Sequence, residues 1–327
     1  MLSIFPKLAK PETLFGMEWL ITGDSGAYSS ASALGASTRK YHGVLACPNP
    51  ENISQRIMAL QKLDEKLVIE NGPAIELDTN FYPGAIYPKG YEQIRRADFS
   101  ENRASYSYEG DFGKLAKTIS MLPGDTGVKV NYSFDFTRKM TLEIIPKFNH
   151  RNIHAVGKQA YAECEFFPAG FCTKNGLLDM ISPDSDFERH DETYRACTYP
   201  QEAKRGYEST EDLYSPGFFK KSAKSGKITI YAKAFFRHSR KEKARMSAVW
   251  ENAEKTSANG DWFLAQMHLS CGKFMTTLPN GDMTALAGYP WFFEWARDAM
   301  IFIDGALLPF GRHAHAKAIL SHFALMQ

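Results

Sequence analysis

Hydrophobic and polar residues alternate through much of the chain between about residues 14 and 237. In the clearest run, 127–136, every second residue is a valine, a tyrosine or a phenylalanine and the residues between them are polar. A period of two predicts a strand that buries one face. Shorter runs of the same kind occur at 142–144 and 228–232. The pattern therefore predicts mainly β-structure.

Turn-forming residue pairs separate these runs. The pairs join asparagine or proline to glycine, and they are Asn71-Gly72, Pro83-Gly84, Pro123-Gly124, Asn175-Gly176 and Pro216-Gly217. Such pairs favour tight turns. Because many short strands follow one another without alternating helices, we expect an antiparallel β-sandwich rather than a parallel α/β fold.

The pattern becomes helical near Ser239. Residues 241–255 are charged and rich in alanine, and 257–260 form a break. Asp261 is then placed as the N-cap of a second helix that ends near Cys271. We interpret these two helices as a bridge between domains.

Two further helices are predicted after a turn at 279–282. The first, about 297–308, is apolar nearly all round and should be buried on most sides. The second covers 313–327. Its apolar stripe needs a partner surface and consists of Ile319, Leu320, Phe323 and Met326.

Composition sets broad limits on function. The 327 residues suit roughly two domains, and we predict a sandwich at 1–238, linker helices at 239–271 and the start of a helical domain at 272–327. With 39 basic and 37 acidic residues the net charge is +2, which gives no electrostatic case for nucleic acid or an anionic membrane. Five cysteines without a C-x-x-C pair, no leader-like N-terminus and no membrane-length apolar run favour a cytoplasmic protein with free thiols.

The strongest candidate for chemistry is the segment 287–298, called the aromatic segment below. Its aromatic residues include Tyr289, Trp291, Phe292 and Trp295, and a charged pair, Arg297-Asp298, follows them. Aromatic faces beside an Arg/Asp pair suit a sugar ring, through stacking and charged hydrogen bonds to hydroxyls. The alternative is an ordinary helix start, where an aspartate favours the helix dipole.

Two other clusters are candidates for the wall of a site. Residues 18–43 are rich in glycine but lack a phosphate-binding pattern, so the glycines fit turns. Within that stretch His42 follows Tyr41 and is either a structural histidine or a base. The second cluster contains Arg205, Glu211 and Asp212, and it is either an ordered surface loop or the wall of a neighbouring site.

Metal and nucleophilic chemistry find no support in the sequence. His313 and His315 point to different sides of a helix and no third ligand is evident, so we expect no metal. No Ser-His-Asp order or Cys-His pair stands out. We also expect no cofactor.

Three motifs together resemble those of archaeal and bacterial glycogen debranching enzymes of the amylo-α-1,6-glucosidase type. The family's E-W-L…G-x-G-G-Y…T-R-x-Y-H-G pattern is similar to 18–43, and its R-G-Y…E-D-L-x-x-P-G pattern is similar to 205–217. Its A-G-Y-P-W-F…W-G-R-D-T pattern is similar to 287–299, with Ala296 and Ala299 in place of the glycine and threonine. The motifs keep the family's order and span most of the chain.

The resemblance implies a β-supersandwich followed by an (α/α)6 toroid whose mouth binds glycogen or a branched α-glucan. Arg297 and Asp298 would hold hydroxyls of a terminal glucose, near Trp295, Trp291 and Tyr289. Tyr41, His42, Arg205, Glu211 and Asp212 are the candidate site wall.

The implied reaction is hydrolysis of an α-1,6 branch by an acid and a base on opposite sides of the sugar. In the family these carboxylates come from later toroid helices, so we name no catalytic residue. Glu294 and Asp298 are only four residues apart and cannot flank a ring. We therefore expect a truncated toroid at 272–327.

Three hypotheses follow for the whole chain. It is a debranching glucosidase that works with a C-terminal toroid partner or by self-association, or a non-catalytic α-glucan-binding or regulatory module. The third possibility is a structural remnant with exposed apolar helix faces.

Overall fold

The computed structural model describes residues 2–234, except 24, 50–51, 53–54, 71 and 124, and residues 262–326, except 279. The predicted helix at 241–255, the break at 257–260 and the N-cap Asp261 lie outside the described residues. One residue of each turn pair at 71–72 and 123–124 does so as well. Because the predicted boundary at 238 also falls there, the division into domains stays a prediction.

Twenty-two strands make up most of the described chain. The first eleven are β1 Leu2–Ile4, β2 Glu18–Thr22, β3 Tyr28–Ser32, β4 Gly43–Pro48, β5 Arg56–Leu60, β6 Lys62–Val68, β7 Ile75–Glu76, β8 Thr79–Tyr82, β9 Ala85–Lys89, β10 Ile94–Ser100 and β11 Arg103–Gly110. The others are β12 Gly113–Met121, β13 Gly127–Lys147, β14 Arg151–Asn152, β15 Cys164–Phe167, β16 Gly170–Thr173, β17 Asp179–Ile181, β18 Asp186–Thr198, β19 Thr210–Lys233, β20 Met275–Thr277, β21 Met283–Gly288 and β22 Phe292–Glu294.

The helices are short and most lie at the C-terminal end. The α-helices are α1 Pro11–Gly16, α2 Pro200–Lys204, α3 Trp262–Gly272, α4 Ala296–Phe302 and α5 His313–Ala324. A π-turn covers Ile303–Leu307, and 3-10 turns cover Pro6–Leu8, Gly90–Gln93 and Leu308–Phe310. No helix in the described part of the chain is long and apolar enough to span a membrane.

Two antiparallel sheets pack face to face and confirm the predicted sandwich. The larger sheet runs β1-β10-β11-β12-β13-β19-β17-β16-β15, with β6 and β18 joining at β13 and β19, and the smaller runs β14-β5-β4-β3-β2. The predicted alternation at 127–136 is also confirmed, because Val128, Val130, Tyr132, Phe134 and Phe136 are all buried. Their side chains meet those of Leu45, Ala59 and Leu60 from the smaller sheet in one core.

The predicted turn at Pro216-Gly217 is wrong. Both residues lie inside β19, where Gly217 pairs with Arg189 of β18. Gly217 has a φ of +150°, and a Cβ at this position would lie 2.1 Å from the carbonyl oxygen of Glu188. Glycine is therefore needed at this position because the two strands approach each other closely. A bulge of β18 beside it accommodates the proline.

The described C-terminal part forms a small hairpin sheet against which helices pack. Strands β20, β21 and β22 form this sheet, and a turn with Gly281 at φ +90° joins the first two, as predicted. Helix α3 ends at Gly272, close to the predicted Cys271. Its neighbour Lys273 donates hydrogen bonds of 3.2 Å to the Glu101 carbonyl and to Asn102 of the sandwich.

The predicted helix at 297–308 is present as a continuous helical stretch, but the prediction that it is buried on most sides is wrong. Helix α4 stops at Phe302 and passes into the π-turn, in which the amide of Leu308 donates to the Ile303 carbonyl. Pro309 has no amide hydrogen with which to continue a helix. One face is open to solvent, since Ile301 is 66% exposed.

The apolar stripe of α5 is divided between core and surface. Ile319 is fully buried and Phe323 packs against the same small core. Leu320 and Met326 are exposed. The five cysteines of the chain are all free thiols.

Candidate functional site

A buried arginine fixes the aromatic segment on the sandwich. Arg56, at the start of β5, is 1% exposed and donates to the carbonyls of Gly26 (3.1 Å), Pro290 (3.2 Å) and Phe292 (3.0 Å). Its guanidinium lies 4.8 Å from the ring centroids of both Tyr289 and Phe293. Burial lowers the pKa of Arg56, and the side chains of Tyr289, Tyr28 and Cys47 offset this effect only in part.

The sandwich also contributes aromatic rings to this contact. Tyr28 meets Tyr289 edge to face at 6.0 Å, and Tyr41 meets Trp291 edge to face at 6.1 Å. The Tyr41 hydroxyl lies 3.2 Å from Nδ1 of His154. The structure therefore brings together two residues that the sequence placed in separate motifs, Tyr41 and Trp291.

The outer part of the aromatic segment presents rings to solvent. Trp291 is 38% exposed and Trp295 is 52% exposed, while Tyr289 is half-buried against the sandwich. Phe292 and Trp295 meet edge to face at 5.9 Å. The segment thus offers flat, accessible faces held on a buried anchor, as a stacking platform requires.

Arg297 and Asp298 lie at the start of α4, beside these rings. Arg297 Nη2 is 3.3 Å from Asp298 Oδ2, and the guanidinium lies 6.0 Å from the Trp295 ring. The Arg297 side chain is 74% exposed, so the contact with Asp298 is weak and both groups can be reached by a ligand.

A second wall extends from the sandwich through Lys40 and α2. Lys40 Nζ lies 5.7 Å from the Tyr41 ring and 5.9 Å from the Tyr207 ring. The Arg205 guanidinium lies 5.0 Å from the same Tyr207 ring. The predicted residue Arg205 is therefore connected to Tyr41 by a continuous series of side-chain contacts.

Glu202 was missed by sequence reasoning. It is 1% exposed, and neither carboxylate oxygen accepts a hydrogen bond in the described structure. The nearest cation is Arg205, at 3.9 Å. Burial is the largest cause that raises the pKa of Tyr41, and the charge of Glu202 is the second. The Glu202 carboxylate therefore lies near this wall. A charged residue in a short Pro-led helix gives no sequence signal of burial.

Three of the predicted wall residues have structural roles in the sandwich. His42 is buried, accepts a hydrogen bond from the Thr38 amide at 3.2 Å and lies 3.6 Å from Glu18. Asp212 accepts from the Ala196 amide at 2.9 Å. Glu211 is fully buried at the start of β19. The alternative of an ordered surface loop is therefore wrong for the part of the second cluster at 211–217, which belongs to β19.

Glu211 is occupied by an internal ion pair. Its carboxylate accepts from Arg151 Nε at 2.5 Å and Nη2 at 3.0 Å, and from the Tyr199 hydroxyl. Burial opposes the charge on Arg151, yet Glu211 and Tyr199 raise the pKa of the guanidinium. Both oxygens of Glu211 thus serve the fold.

Glu294 joins the aromatic segment to the helices. Its Oε2 lies 3.0 Å from His322 Nε2, and His322 Nδ1 lies 3.1 Å from Asp282 of the hairpin turn. Glu294 and His322 are both buried. No group of three or more His, Cys, Asp or Glu within 2–234 and 262–326, gaps excepted, is arranged to hold a metal ion.

Comparison with known proteins gives two matches. Residues 17–229 match a family model described as glycogen debranching enzyme N terminal, and residues 258–327 match one described as amylo-alpha-1,6-glucosidase. The first match covers the sandwich and the wall residues, and the second contains the aromatic segment. A search of curated proteins found no match.

Proposed function

Because the chain belongs to the glycogen debranching enzyme family, we propose that the aromatic segment binds the terminal glucose of an α-glucan branch. Trp291 and Trp295 stack on the sugar, and Arg297 and Asp298 hydrogen-bond its hydroxyls. The observation that carries the proposal is the Arg56 anchor, which presents exposed rings on a fixed support.

The sandwich completes this proposed site. Tyr41 supports Trp291 from behind, and the charge of the buried Glu202 lies beneath the same wall. Lys40 and Arg205 line the same wall. A neutral ligand with many hydroxyls matches this mixture of rings, carboxylates and cations better than an anion or a purely apolar molecule.

Glycogen binding tests the proposal directly. In a native gel containing glycogen, Trp291→Ala is expected to weaken the apparent affinity about 5-fold, because one stacking contact contributes about 1 kcal/mol. Tyr161→Ala is the matched control, since Tyr161 is 73% exposed and lies outside the aromatic segment. Equal retardation of wild type and Trp291→Ala would contradict the assignment.

The proposed reaction is hydrolysis of an α-1,6 branch glucose, as the second family description names. The test is glucose release from a branched limit dextrin, with Arg297→Ala and Asp298→Ala as controls. Hydrolysis at this site is supported if wild type releases glucose and both variants do not. No release by a protein that still binds glycogen favours a non-catalytic glucan-binding module, which the exposed rings support equally well.

Partners and location complete the proposal. The exposed apolar side chains Ile301, Phe310 and Leu320 fit contact with a helical toroid partner or a second copy of the chain. Light scattering over a range of concentrations tests this, and a constant monomer mass would contradict self-association. Free thiols together with a glycogen-directed function fit a cytoplasmic location.

A further inference from the structure

A groove of about 440 Å³ lies on the sandwich beside β18. Its floor is the sheet face formed by β6, β13, β18 and β19, and the β8–β9 hairpin forms its side. Leu142 and Ile144 point into the core, so the groove residues Glu143 and Ile145 lie on the opposite face. The groove shares no lining residue with the aromatic segment. Its volume falls within the range of small-ligand sites.

Aromatic rings line this groove. Tyr87 of the hairpin is 67% exposed, and Tyr82, Tyr194 and Phe218 are half-buried. Lys147 Nζ lies 3.3 Å from the centroid of the Tyr194 ring, and the Tyr194 hydroxyl donates to Glu192 at 2.6 Å. At least one ring is therefore held in place, while Tyr87 offers a face directly to solvent.

Beneath the rings lies a buried and internally paired polar floor. Lys147 and Lys62 approach the Asp64 carboxylate at 2.5 and 2.9 Å, and Asn80 donates to Asp64 at 2.9 Å and to Asp78 at 2.5 Å. Burial and the charge of Asp64 raise the pKa of Asp78. The floor is rigid because these groups bind one another.

The rim carries more carboxylates than cations. Glu76, Glu143, Glu188 and Glu192 line the groove; Lys66 lies 3.8 Å from Glu76, and Lys220 pairs with Glu188. Carboxylates accept hydrogen bonds from hydroxyls, and their charge repels phosphates and nucleic acid. Flat rings together with hydroxyl acceptors fit a neutral sugar chain.

We propose that this groove binds a segment of an α-glucan chain, with Tyr87 as the principal stacking residue. The choice of a glucan over another neutral oligosaccharide rests on the proposed function. Strand β18 continues from Tyr194 to Thr198 and leads into α2, so the eight residues between the groove and the wall at Glu202 allow a separation of at most about 26 Å. Two branches of one glycogen particle can then be held together, which raises the apparent affinity.

Isothermal titration of the 327-residue chain with maltoheptaose tests the proposal by stoichiometry. Each wild-type chain is expected to bind two molecules of maltoheptaose. Tyr87→Ala is expected to bind one, because the affinity of the groove falls about 10-fold or more. Tyr87→Phe keeps the ring and should retain both sites. Tyr161→Ala is the control for removal of an exposed tyrosine, and circular dichroism checks that each variant is folded.

The aromatic-segment variant Trp291→Ala separates this inference from the proposed function. If Trp291→Ala still binds one molecule and the double variant Trp291→Ala, Tyr87→Ala binds none, the groove binds glucan independently of the aromatic segment. If Tyr87→Ala leaves stoichiometry and affinity unchanged, the groove proposal is overturned even when Trp291→Ala loses binding. If only Tyr87→Ala loses binding, the groove stands and the proposed role of Trp291 fails.

Discussion

One buried arginine lies inside the sandwich, and another lies at the junction between the sandwich and the aromatic segment. Different groups surround the positive charge in the two places. Arg151 forms two charged hydrogen bonds with Glu211, and its pKa is raised. Arg56 has three carbonyls and the side chains of Tyr28, Tyr289 and Phe293 among its described partners, and its pKa is lowered. Only the first arginine has a carboxylate among its described contacts.

The difference follows from what each arginine holds. Arg151 links β14 to β19 within the sandwich, so its partners are fixed by the same fold. Two of the Arg56 carbonyls come from Pro290 and Phe292, more than 230 residues away along the chain. Arg151 therefore stabilises the sandwich itself, and Arg56 positions the aromatic segment on it.

The largest effect is expected from Glu211→Gln. This change leaves the Arg151 guanidinium buried without a counter-charge, which typically costs about 3–5 kcal/mol of unfolding free energy. Urea denaturation measures the loss. Glu163→Gln is the matched control, because the Glu163–Lys174 pair is exposed to solvent, where an ion pair contributes little to stability. Similar losses of unfolding free energy in both variants would contradict the conclusion that Arg151 depends on a buried counter-charge.

The next effect concerns pH and the neighbouring His150. Burial lowers the pKa of His150 to about 4 from 6.5, and its Nδ1 lies 3.3 Å from the Asn175 amide nitrogen. Between these values the unfolded chain binds a proton that the folded chain does not. The folded state therefore loses stability as pH falls from 6.5 to 4, by up to about 3 kcal/mol.

Denaturation at several pH values checks this prediction. His150→Asn should flatten the pH dependence across that window, since asparagine does not titrate and tolerates the φ of +34° at this position. An unchanged slope in the variant would assign the dependence to other groups.

Arg56→Met is expected to change the unfolding free energy least. Its effect should be confined to the surroundings of the aromatic segment. The variant loses three hydrogen bonds and also removes a charge whose burial is unfavourable, so the net cost is about 1–2 kcal/mol. Hydrogen exchange should rise at 289–295 while the amides of 128–136 stay protected. Uniform loss of protection would make Arg56 an ordinary core residue, like Arg151.

Sequence patterns predicted the parts of the fold that depend on local periodicity. The alternation at 127–136 identified the buried face of β13, and the motif order identified the aromatic segment. Pro216-Gly217 misled because a glycine needed for close approach of two strands looks the same in sequence as one needed for a turn. Ile301 misled because an apolar residue can also face solvent.

The site could be predicted only where one segment supplies it. Trp291, Arg297 and Asp298 are close in sequence and were found together. Arg56 and Glu202 were not found, because their importance depends on burial against partners that are distant in sequence. No periodicity marks an isolated arginine as the anchor of a loop that follows 234 residues later.

The length of β19 has a consequence for the order in which the protein forms. This one strand pairs with β13, β17 and β18, and Val128 of β13 meets Ala232 about a hundred residues later. Contacts so far apart gain free energy only after a long loop has closed. During synthesis, β10 to β13 can form a meander as they leave the ribosome, but the sheet closes only when residue 233 has emerged. Until then the edge of β13 is unpaired on that side, and it is the place where a nascent chain of this protein needs protection from aggregation.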